Sequence, residues 1–248
     1  MKAYESAFTS TKLDPSKYMC VRIDGRGFSK FTKGFKKPFD GHMTNVMVST
    51  MKSLVKETHA SVGYTQSDEI TLIFAPNTGR IFGGKVSKIN SVFASMVTAH
   101  FNLHLQATYP AVIDKLAYFD CRVWDVPDDV EASNVLLWRV QDARKNSVSS
   151  LFRWTAGHKA MNKLDQLQMK EYLLEHHACD WNALPNFWKY GTYAKPIVYE
   201  SYLTAEELQN IPEGKKPVDI LVKRSKIENV NIGYFGDLSL EARKNFVH

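Results

Sequence analysis

The order of hydrophobic patterns along the chain predicts an α+β fold built on an antiparallel sheet with helices packed on one face. Residues 18–24 (YMCVRID) and 118–126 (YFDCRVWDV) alternate apolar and polar side chains, which is typical of strands with one buried face. Residues 43–58 and 86–105 place apolar side chains at helical spacing instead. Residues 63–74 (GYTQSDEITLIF) indicate two short strands joined by a polar turn. This order of elements is that of a split βαβ arrangement.

The character of the sequence changes near residue 130, after Pro127-Asp128-Asp129. Residues 131–177 are mostly helical in pattern, and the chain after Pro185 is rich in loops, with short strand-like pieces such as PIVYESY and PVDILV. We therefore predict a catalytic core over residues 1–130 and a helical, loop-rich C-terminal appendage over residues 131–248.

Composition favours a globular protein with a polyanionic partner. The net charge of the 248 residues is +6, and clustered Lys and Arg displace counterions from phosphate backbones. The sequence contains no apolar signal segment and no stretch long enough to span a bilayer, so we expect no membrane role. Three widely spaced cysteines form no CxxC pair, which argues against a zinc knuckle or a disulfide framework and favours a reducing, cytoplasmic setting.

Two acidic positions are candidates for a metal site. Asp24 ends a predicted strand and is followed at once by a glycine turn, Gly25-Arg26-Gly27. Asp68 and Glu69 lie at the tip of the predicted hairpin. Each position by itself also fits an ordinary polar turn. In a split βαβ sheet, however, the first strand and the hairpin are neighbours, so Asp24 and Asp68 can converge. Two converging carboxylates bind Mg²⁺ and leave positions for water and a triphosphate.

Basic residues surround these positions, and each has a simpler explanation. Those that follow the glycine turn or begin the second helix are Arg26, Lys30, Lys33, Lys36, Lys37, Lys85 and Lys88. Lys88, near a helix N-terminus, can approach a triphosphate, although a solvated surface lysine is the commoner case. Arg122 shares a strand face with Asp120, so it either points toward the acids or forms an ion pair. Residues 138–153 (WRVQDARKNSVSSLFR) either hold a nucleotide or form a plain amphipathic helix.

Taken together, these motifs resemble those of the tRNA-His guanylyltransferase family. The matching segments, in order, are RIDGRGF, KP-F-D, YTQSDEITLIF, SKINSVFAS, YFDCRVW, WRVQDARKNSVSSL and GHK-A. The resemblance runs from about Tyr18 to Gly191, and the piece DWNALPNFWKYG is similar to the segment that closes the bacterial and archaeal guanylyltransferase-like branch. The tail after about Ser201 has no counterpart.

The resemblance implies a polymerase-type or cyclase-type palm fold and addition of a nucleotide, best guess guanylate, to the 5′ end of tRNA. In the family, ATP first activates the tRNA 5′-monophosphate by adenylylation. The 3′-hydroxyl of GTP then attacks the activated end and releases AMP. Both steps are phosphoryl transfers, and two Mg²⁺ ions would stabilise their charge. The resemblance also implies a homo-oligomer, a tetramer.

The resemblance assigns roles residue by residue. Asp24, Asp68 and the Gly25 carbonyl would bind metal, and Glu69 would support the acids. The residues that would cradle the triphosphate are Asp24, Gly25, Arg26, Gly27, Phe28, Ser29 and Ser67. The residues that would contact phosphates or nucleotide are Lys37, Lys88, Arg122 and Asn146.

Two departures from the family pattern bear on the substrate. The eukaryotic enzymes carry His-Ile-Asn-Asn where this chain has Arg144-Lys145-Asn146-Ser147, and a His is frequent at the position of Ser29. The pattern here is similar to the guanylyltransferase-like branch, whose members favour template-dependent 3′-to-5′ addition and repair of shortened tRNA 5′ ends.

Two other functions are compatible with the same acids. A nucleotide cyclase or cyclic-dinucleotide synthase also places metal carboxylates on a strand and a hairpin. A basic RNA-binding module that kept the fold and lost the chemistry is the non-catalytic alternative. Retention of both Asp24 and Asp68 argues against it, because an unneeded acid pair beside phosphate would repel the ligand.

Overall fold

The structure, a computed structural model, describes residues 1–77, 81–109, 115–161, 164–215 and 221–248. Its strands are β1 (Tyr18–Gly25), β2 (Val62–Gln66), β3 (Glu69–Phe74), β4 (Phe119–Val126), β5 (Thr192–Tyr202) and β6 (Leu221–Val230). Its helices are α1 (Lys2–Thr9), α2 (Phe28–Phe31), α3 (Gly41–Thr58), α4 (Val86–Thr108), α5 (Asp129–Thr155), α6 (Gln166–His177), α7 (Asn186–Tyr190), α8 (Ala205–Asn210) and α9 (Leu240–Phe246).

The strands form one sheet in the order β4-β1-β3-β2-β5-β6, and every neighbouring pair is antiparallel. β1 lies between β3 and β4, which is the split βαβ order that the hydrophobic pattern predicts. The predicted α+β fold is confirmed, and the five predicted elements of the first half agree with the structure to within a few residues at their ends.

Helices α3 and α4 pack on one face of this sheet. The odd-numbered residues of β1, such as Val21 and Ile23, join side chains of both helices, including Met47 and Phe93, in a fully buried apolar cluster. Helix α3 begins at Gly41 because the Asp40 carboxylate accepts hydrogen bonds from the His42 and Met43 amides at 3.0 and 3.1 Å. These contacts fix the helical layer that the sequence predicts.

The opposite face of the sheet is buried as well. Tyr18 and Cys20 of β1 pack with Leu136 and Val140 of α5, and none of the four is more than 4% exposed. The alternation in β1 predicted one buried face, but α5 covers the face that carries the polar positions. Helix α5 begins at Asp129 because the Asp128 carboxylate accepts a hydrogen bond from the Glu131 amide at 2.9 Å.

The chain beyond residue 130 shares the sheet of the first half. β5 pairs with β2 from Gly63 to Thr65, and β6 then pairs along β5 from Tyr193 to Tyr202. The predicted strand-like piece PIVYESY lies within β5, whereas most of PVDILV falls on residues outside the described ranges. The division at residue 130 stays a prediction, with α5 and β5 packed against the first half.

The described residues contain no helix that is both long and apolar enough to cross a membrane. All three cysteines are free thiols. Burial raises the pKa of Cys20 and of Cys121 to about 12, so both thiols are protonated at neutral pH.

Close packing of α3 against β2 at Gly63 gives a test of the fold. A Cβ at Gly63 would lie 2.6 Å from Val55 Cγ2 and 2.9 Å from Met51 Cγ, both in the buried core. We expect Gly63→Ala to lower the free energy of unfolding by about 1–3 kcal/mol, measured by chemical denaturation, because α3 must shift. Gly41→Ala is the matched control, since nothing lies within 4 Å of the added Cβ. Equal stabilities of the two variants would contradict this packing.

Candidate active site

Three acidic side chains share one end and one face of the sheet. Asp24 pairs directly with Glu69 on β3 and with Asp120 on β4. Directly opposed residues of antiparallel strands point to the same face, so the three carboxylates lie side by side on the α5 face. Strand register therefore places Asp24 at the centre of an acidic end of the sheet.

Asp68 reaches the same place from the turn between β2 and β3. Ser67 holds this turn in a left-handed conformation with φ of 56°, and its hydroxyl donates a hydrogen bond to Asp68 Oδ1 at 3.0 Å. The Gly25 amide donates to the Asp68 carbonyl at 3.1 Å, which joins the hairpin tip to the end of β1. The convergence of Asp24 and Asp68 that the sequence predicts is thus present.

The turn after Asp24 depends on Phe28. A Cβ at Gly25 would lie 2.2 Å from the Phe28 ring, so only glycine fits there. Phe28 itself is buried among Phe31, Phe101 and Phe119 with ring centroids 5.0–5.5 Å away. Gly27 follows in the left-handed region with φ of 65°, where glycine has no steric penalty. The buried Phe28 ring therefore holds the turn against the core.

The side of this turn that faces solvent is open to a ligand. Arg26, Gly27 and Ser29 are exposed. The Arg26 amide is already used, since it donates to the Tyr118 carbonyl at 2.8 Å. The predicted triphosphate-binding residues of this turn are thus brought next to the acids.

Burial and mutual repulsion shape the electrostatics of the acids. Burial raises the pKa of Asp68, and the nearby Asp24 charge raises it further while the Ser67 hydroxyl opposes the change. Burial likewise raises the pKa of Asp24, helped by Asp120 and opposed by the neighbouring arginines. A bound cation would relieve this repulsion, because it favours the ionised form of both carboxylates.

The oxygen atoms at this end of the sheet fit an Mg²⁺ site in which the substrate supplies some of the ligands. Asp24, Asp68 and the Gly25 carbonyl would supply hard oxygen ligands, and Mg²⁺ commonly takes one or two carboxylates together with phosphate oxygens and water. Across the described ranges, no three His, Cys, Asp or Glu side chains form a complete metal cage. The remaining ligands would thus come from water and phosphate.

Arg139 of α5 belongs to the run 138–153, which the sequence offered as a nucleotide-binding segment or a plain amphipathic helix, and its contact with the acidic residue Glu69 was not predicted. Its side chain is only 9% exposed, and its Nε donates to Glu69 Oε1 at 2.6 Å. A second nitrogen donates to Asp142 at 2.8 Å, and the guanidinium carbon lies 4.3 Å from the Trp138 ring centre. Burial still raises the pKa of Glu69, with Arg139 opposing that change. The available signal was the position of Arg139 on the apolar stripe of the predicted helix, three residues after Leu136 and four before Ala143.

Three other predicted residues have mixed placements. Arg122 lies on the acid face, but it is exposed and its Nε is 3.6 Å from Asp120, so the ion-pair alternative is present. Lys37 donates to the Thr32 hydroxyl at 3.0 Å at the edge of the turn region. Asn146 is exposed on α5 and lies seven residues beyond Arg139, on the same side of the helix.

Lys88 does not join the acids within one chain. The Val86 amide donates to the Thr11 carbonyl at 3.0 Å, which places the start of α4 beside the segment that leads into β1. Asp24 lies at the other end of β1, about 20 Å away at the usual rise of a strand. Lys88 Nζ instead lies 5.0 Å from the Phe82 ring centre. Helical spacing predicted the helix N-terminus correctly but could not tell which end of the sheet it adjoins.

A cavity of ≈ 800 Å³ opens at the acid end of the sheet, beyond β2. The start of α3, helix α7 and the ends of β5 and β6 form its walls, and the Phe39 and Trp188 rings stack within it at 5.0 Å. Gln66, two residues before Asp68, donates to the Trp188 carbonyl at 3.3 Å. Neither Asp24 nor Asp68 lines the cavity, but its size suits a nucleotide-sized ligand.

Comparison with known families identifies this arrangement. The family model described as Thg1, tRNAHis guanylyltransferase, matches residues 1–127. The chain belongs to the tRNA(His) guanylyltransferase family. The resemblance that the motifs indicate is confirmed, and with it the prediction that the chain is a nucleotidyltransferase.

Relatives of the guanylyltransferase family cover most of the chain. An uncharacterized protein of Acanthamoeba polyphaga mimivirus is 33% identical over 79% of this chain and 75% of its own length. The tRNA(His) guanylyltransferase of Debaryomyces hansenii is 26% identical over 90% of this chain and 89% of its own length.

Solved guanylyltransferase-like structures share the palm fold. A bacterial tRNA(His) guanylyltransferase-like protein in complex with ATP has a TM-score of 0.74 and 36% identity, covering 79% of this chain and 86% of that one. A bacterial tRNA(His) guanylyltransferase-like protein in complex with GTP has a TM-score of 0.70 and 28% identity, covering 100% of this chain and 97% of that one.

The raised pKa of Asp68 in this guanylyltransferase site predicts that stability depends on pH. Because the folded pKa of Asp68 is raised, protonation stabilises the folded chain. This contribution is complete below the ordinary pKa of 3.8 and is lost as pH rises through the raised value. Asp68→Asn should therefore raise the melting temperature of metal-free protein at neutral pH and weaken its pH dependence above 3.8. Glu175→Gln, at an exposed acid of α6, should change neither. A less stable Asp68→Asn variant would contradict the repulsion.

Proposed function

We propose that this chain is a tRNA 5′-end nucleotidyltransferase that adds a nucleotide, guanylate, in the 3′-to-5′ direction after ATP activates the 5′-phosphate. The observation that carries the proposal is the convergence of Asp24 and Asp68 beside the exposed glycine turn. Family membership supports the reaction class, and the complexes of the two bacterial relatives with ATP and GTP support the substrates.

The chemistry consists of two displacements at phosphorus. In the first, an oxygen of the tRNA 5′-phosphate attacks the α-phosphorus of ATP, and pyrophosphate leaves. In the second, the 3′-hydroxyl of GTP attacks the activated 5′-phosphorus, the bond to AMP breaks, and the hydroxyl proton passes to solvent. Two Mg²⁺ ions, when bound, would polarise the phosphoryl oxygens and lower the pKa of the attacking hydroxyl.

The residues of the candidate active site have separate roles in these two steps. Asp24, Asp68 and the Gly25 carbonyl would hold the ions at the end of β1. Ser67 orients Asp68 through its hydrogen bond, and the exposed turn from Arg26 to Ser29 would lie along the triphosphate. Gly27 has no side chain, so a ligand could approach the backbone of the turn closely at that residue.

Glu69 supports the acids indirectly. Its carboxylate accepts the Arg139 hydrogen bond at 2.6 Å, so it is engaged in holding α5 in place. Burial raises the pKa of Asp24, and Arg139 is one of the arginines that oppose this rise and so favour the ionised form that binds metal. We therefore assign Glu69 and Arg139 as positioning residues of the site.

The tRNA substrate, the cellular setting and the oligomeric state are further parts of this proposal. The Arg144-Lys145-Asn146-Ser147 run favours template-dependent repair of shortened tRNA 5′ ends in addition to tRNA-His guanylylation. A cytoplasmic setting follows from the three widely spaced cysteines. A homotetramer follows from the family resemblance, and gel filtration with light scattering measures it.

Loss of either acid should stop both chemical steps. We expect Asp24→Ala and Asp68→Ala each to lower adenylylation and nucleotide addition by about 100-fold or more, because several kcal/mol of charge stabilisation would be lost. The measurement uses labelled ATP for the first step and labelled GTP with pre-adenylylated tRNA for the second. Glu175→Ala, at an exposed acid of α6, is the control. Activity that survives Asp68→Ala would refute the site assignment, and cyclic product from GTP alone would favour a cyclase.

The choice of tRNA tests the repair activity. With labelled GTP, ATP and Mg²⁺, we expect tRNAs that lack their first 5′ nucleotide to be extended in preference to intact tRNA-His. The reason is the guanylyltransferase-like pattern at residues 144–147. Initial rates on the two tRNA sets at equal concentration give the answer. Exclusive use of intact tRNA-His would mark a strict tRNA-His enzyme instead.

A further inference from the structure

Three cationic side chains gather at one place outside the acid site. They are Arg144 of α5, Lys170 of α6 and Lys189 of α7, here called the cation cluster. Lys170 Nζ lies 3.8 Å from the centre of the buried Trp181 ring, and Lys189 Nζ lies 5.4 Å from the same ring. Nothing in the proposed chemistry uses these three residues.

Lys189 is the least exposed member, with 7% of its surface accessible. Its Nζ donates one hydrogen bond, to the Asn182 carbonyl at 2.7 Å. A lysine ammonium has three donors, so two are left for other partners. A charge this deeply buried is normally paired with an acid.

The cation cluster lacks such pairing. In the described part of the chain, none of its three members forms a salt bridge. Burial lowers the pKa of Lys170, the charges of Arg144 and Lys189 lower it further, and the Asp180 charge opposes them. Three like charges held together in this way form a site that is complementary to an anion.

Aromatic rings hold the cations in place. Arg144 lies 5.3 Å from the Tyr234 ring centre, and the Tyr234 and Tyr190 rings are 5.2 Å apart. Cation–π contacts orient the cations without neutralising their charge. The charges therefore stay available to a phosphate group.

The cation cluster lies next to the candidate active site. Arg144 is five residues beyond Arg139 along α5, which is about 7.5 Å of helix. Lys189 follows Trp188, whose carbonyl accepts the hydrogen bond from Gln66 of the hairpin that carries Asp68. A nucleic acid with its 5′ end at Asp24 and Asp68 would thus have neighbouring phosphates within reach of the cation cluster.

We propose that Arg144, Lys170 and Lys189 bind backbone phosphates of the RNA substrate close to its reacting 5′ end. The inference rests on the proposed function for the identity of the RNA. The ligand chemistry, a phosphate group, is shared with free nucleoside triphosphates, and we commit to the RNA because the cation cluster lies outside the turn that would hold the triphosphate.

The experiment measures how tRNA affinity depends on salt, without nucleotides, for the full chain and its variants. Each lysine or arginine that neutralises a phosphate contributes roughly one unit to the slope of log affinity against log salt. We expect Lys170→Ala and Arg144→Ala each to reduce that slope by about one unit and to weaken binding about 3- to 10-fold at low salt. Lys170→Arg should restore the slope, since it keeps the charge.

Lys56→Ala is the matched control, because Lys56 is exposed in the last turn of α3, and it should leave the slope unchanged. Slopes equal to wild type in both cluster variants would overturn the proposal. A higher KM for ATP in Lys170→Ala, with an unchanged tRNA slope, would assign the site to free nucleotides and also overturn it.

These outcomes are separate from a failure of the proposed function. Binding of tRNA needs no turnover, so a slope effect in a chain whose Asp68→Ala variant keeps its activity would refute the catalytic assignment alone. A protein that binds no tRNA would refute both proposals. Unfolding curves of the variants ensure that a change in slope reflects the lost charge.

Discussion

The guanidinium of Arg139 lies almost fully buried between α5 and the sheet, 2.6 Å from Glu69 and 2.8 Å from Asp142. Removing one partner of such a pair leaves a buried charge without compensation, which commonly destabilises a protein by about 3–5 kcal/mol. This contact fixes the distance of α5 from β3 at the very end of the sheet where the acids meet. The second layer of the fold and the alignment of the acids depend on the same ion pair.

The acids themselves are held against their own electrostatics. Burial raises the pKa of both Asp24 and Asp68, and a neighbouring acid adds to the rise in each case, Asp120 for Asp24 and Asp24 for Asp68. The backbone bond from Gly25 to the Asp68 carbonyl and the Phe28 ring beneath the turn keep them together nonetheless. Shifted carboxylates of this kind are frequent at functional sites, where binding of a cation offsets the cost.

Helix α5 links three features that lie far apart in the sequence. Through Leu136 and Val140 it covers the face of β1 that carries Tyr18 and Cys20, and Arg139, which lies between them in the sequence, contacts Glu69. One and a half turns later, Arg144 joins Lys170 and Lys189. Because one straight helix carries all three, the core, the acid site and the cation cluster have a fixed spacing along its axis.

Sequence alone determined the local elements and the chemistry of the site. Alternation in residues 18–24, helical spacing in residues 43–58 and the hairpin around Asp68 each depend on short-range patterns, so they could be predicted one element at a time. The acids at a strand end and at a hairpin tip, together with the ordered motifs, indicated a guanylyltransferase independently of the tertiary structure.

Only the tertiary structure decided which of these elements meet. It placed Asp68 against Asp24, buried Arg139 against Glu69 and put Lys88 at the opposite end of the sheet, because strand register and helix direction are long-range properties. It also brought Lys170 and Lys189 to Arg144, a cluster that no single segment encodes. The acids that the sequence indicated form a site because the antiparallel sheet and α5 bring them together at one end. Burial raises the pKa of Asp24 and Asp68 there, which the sequence pattern alone does not show.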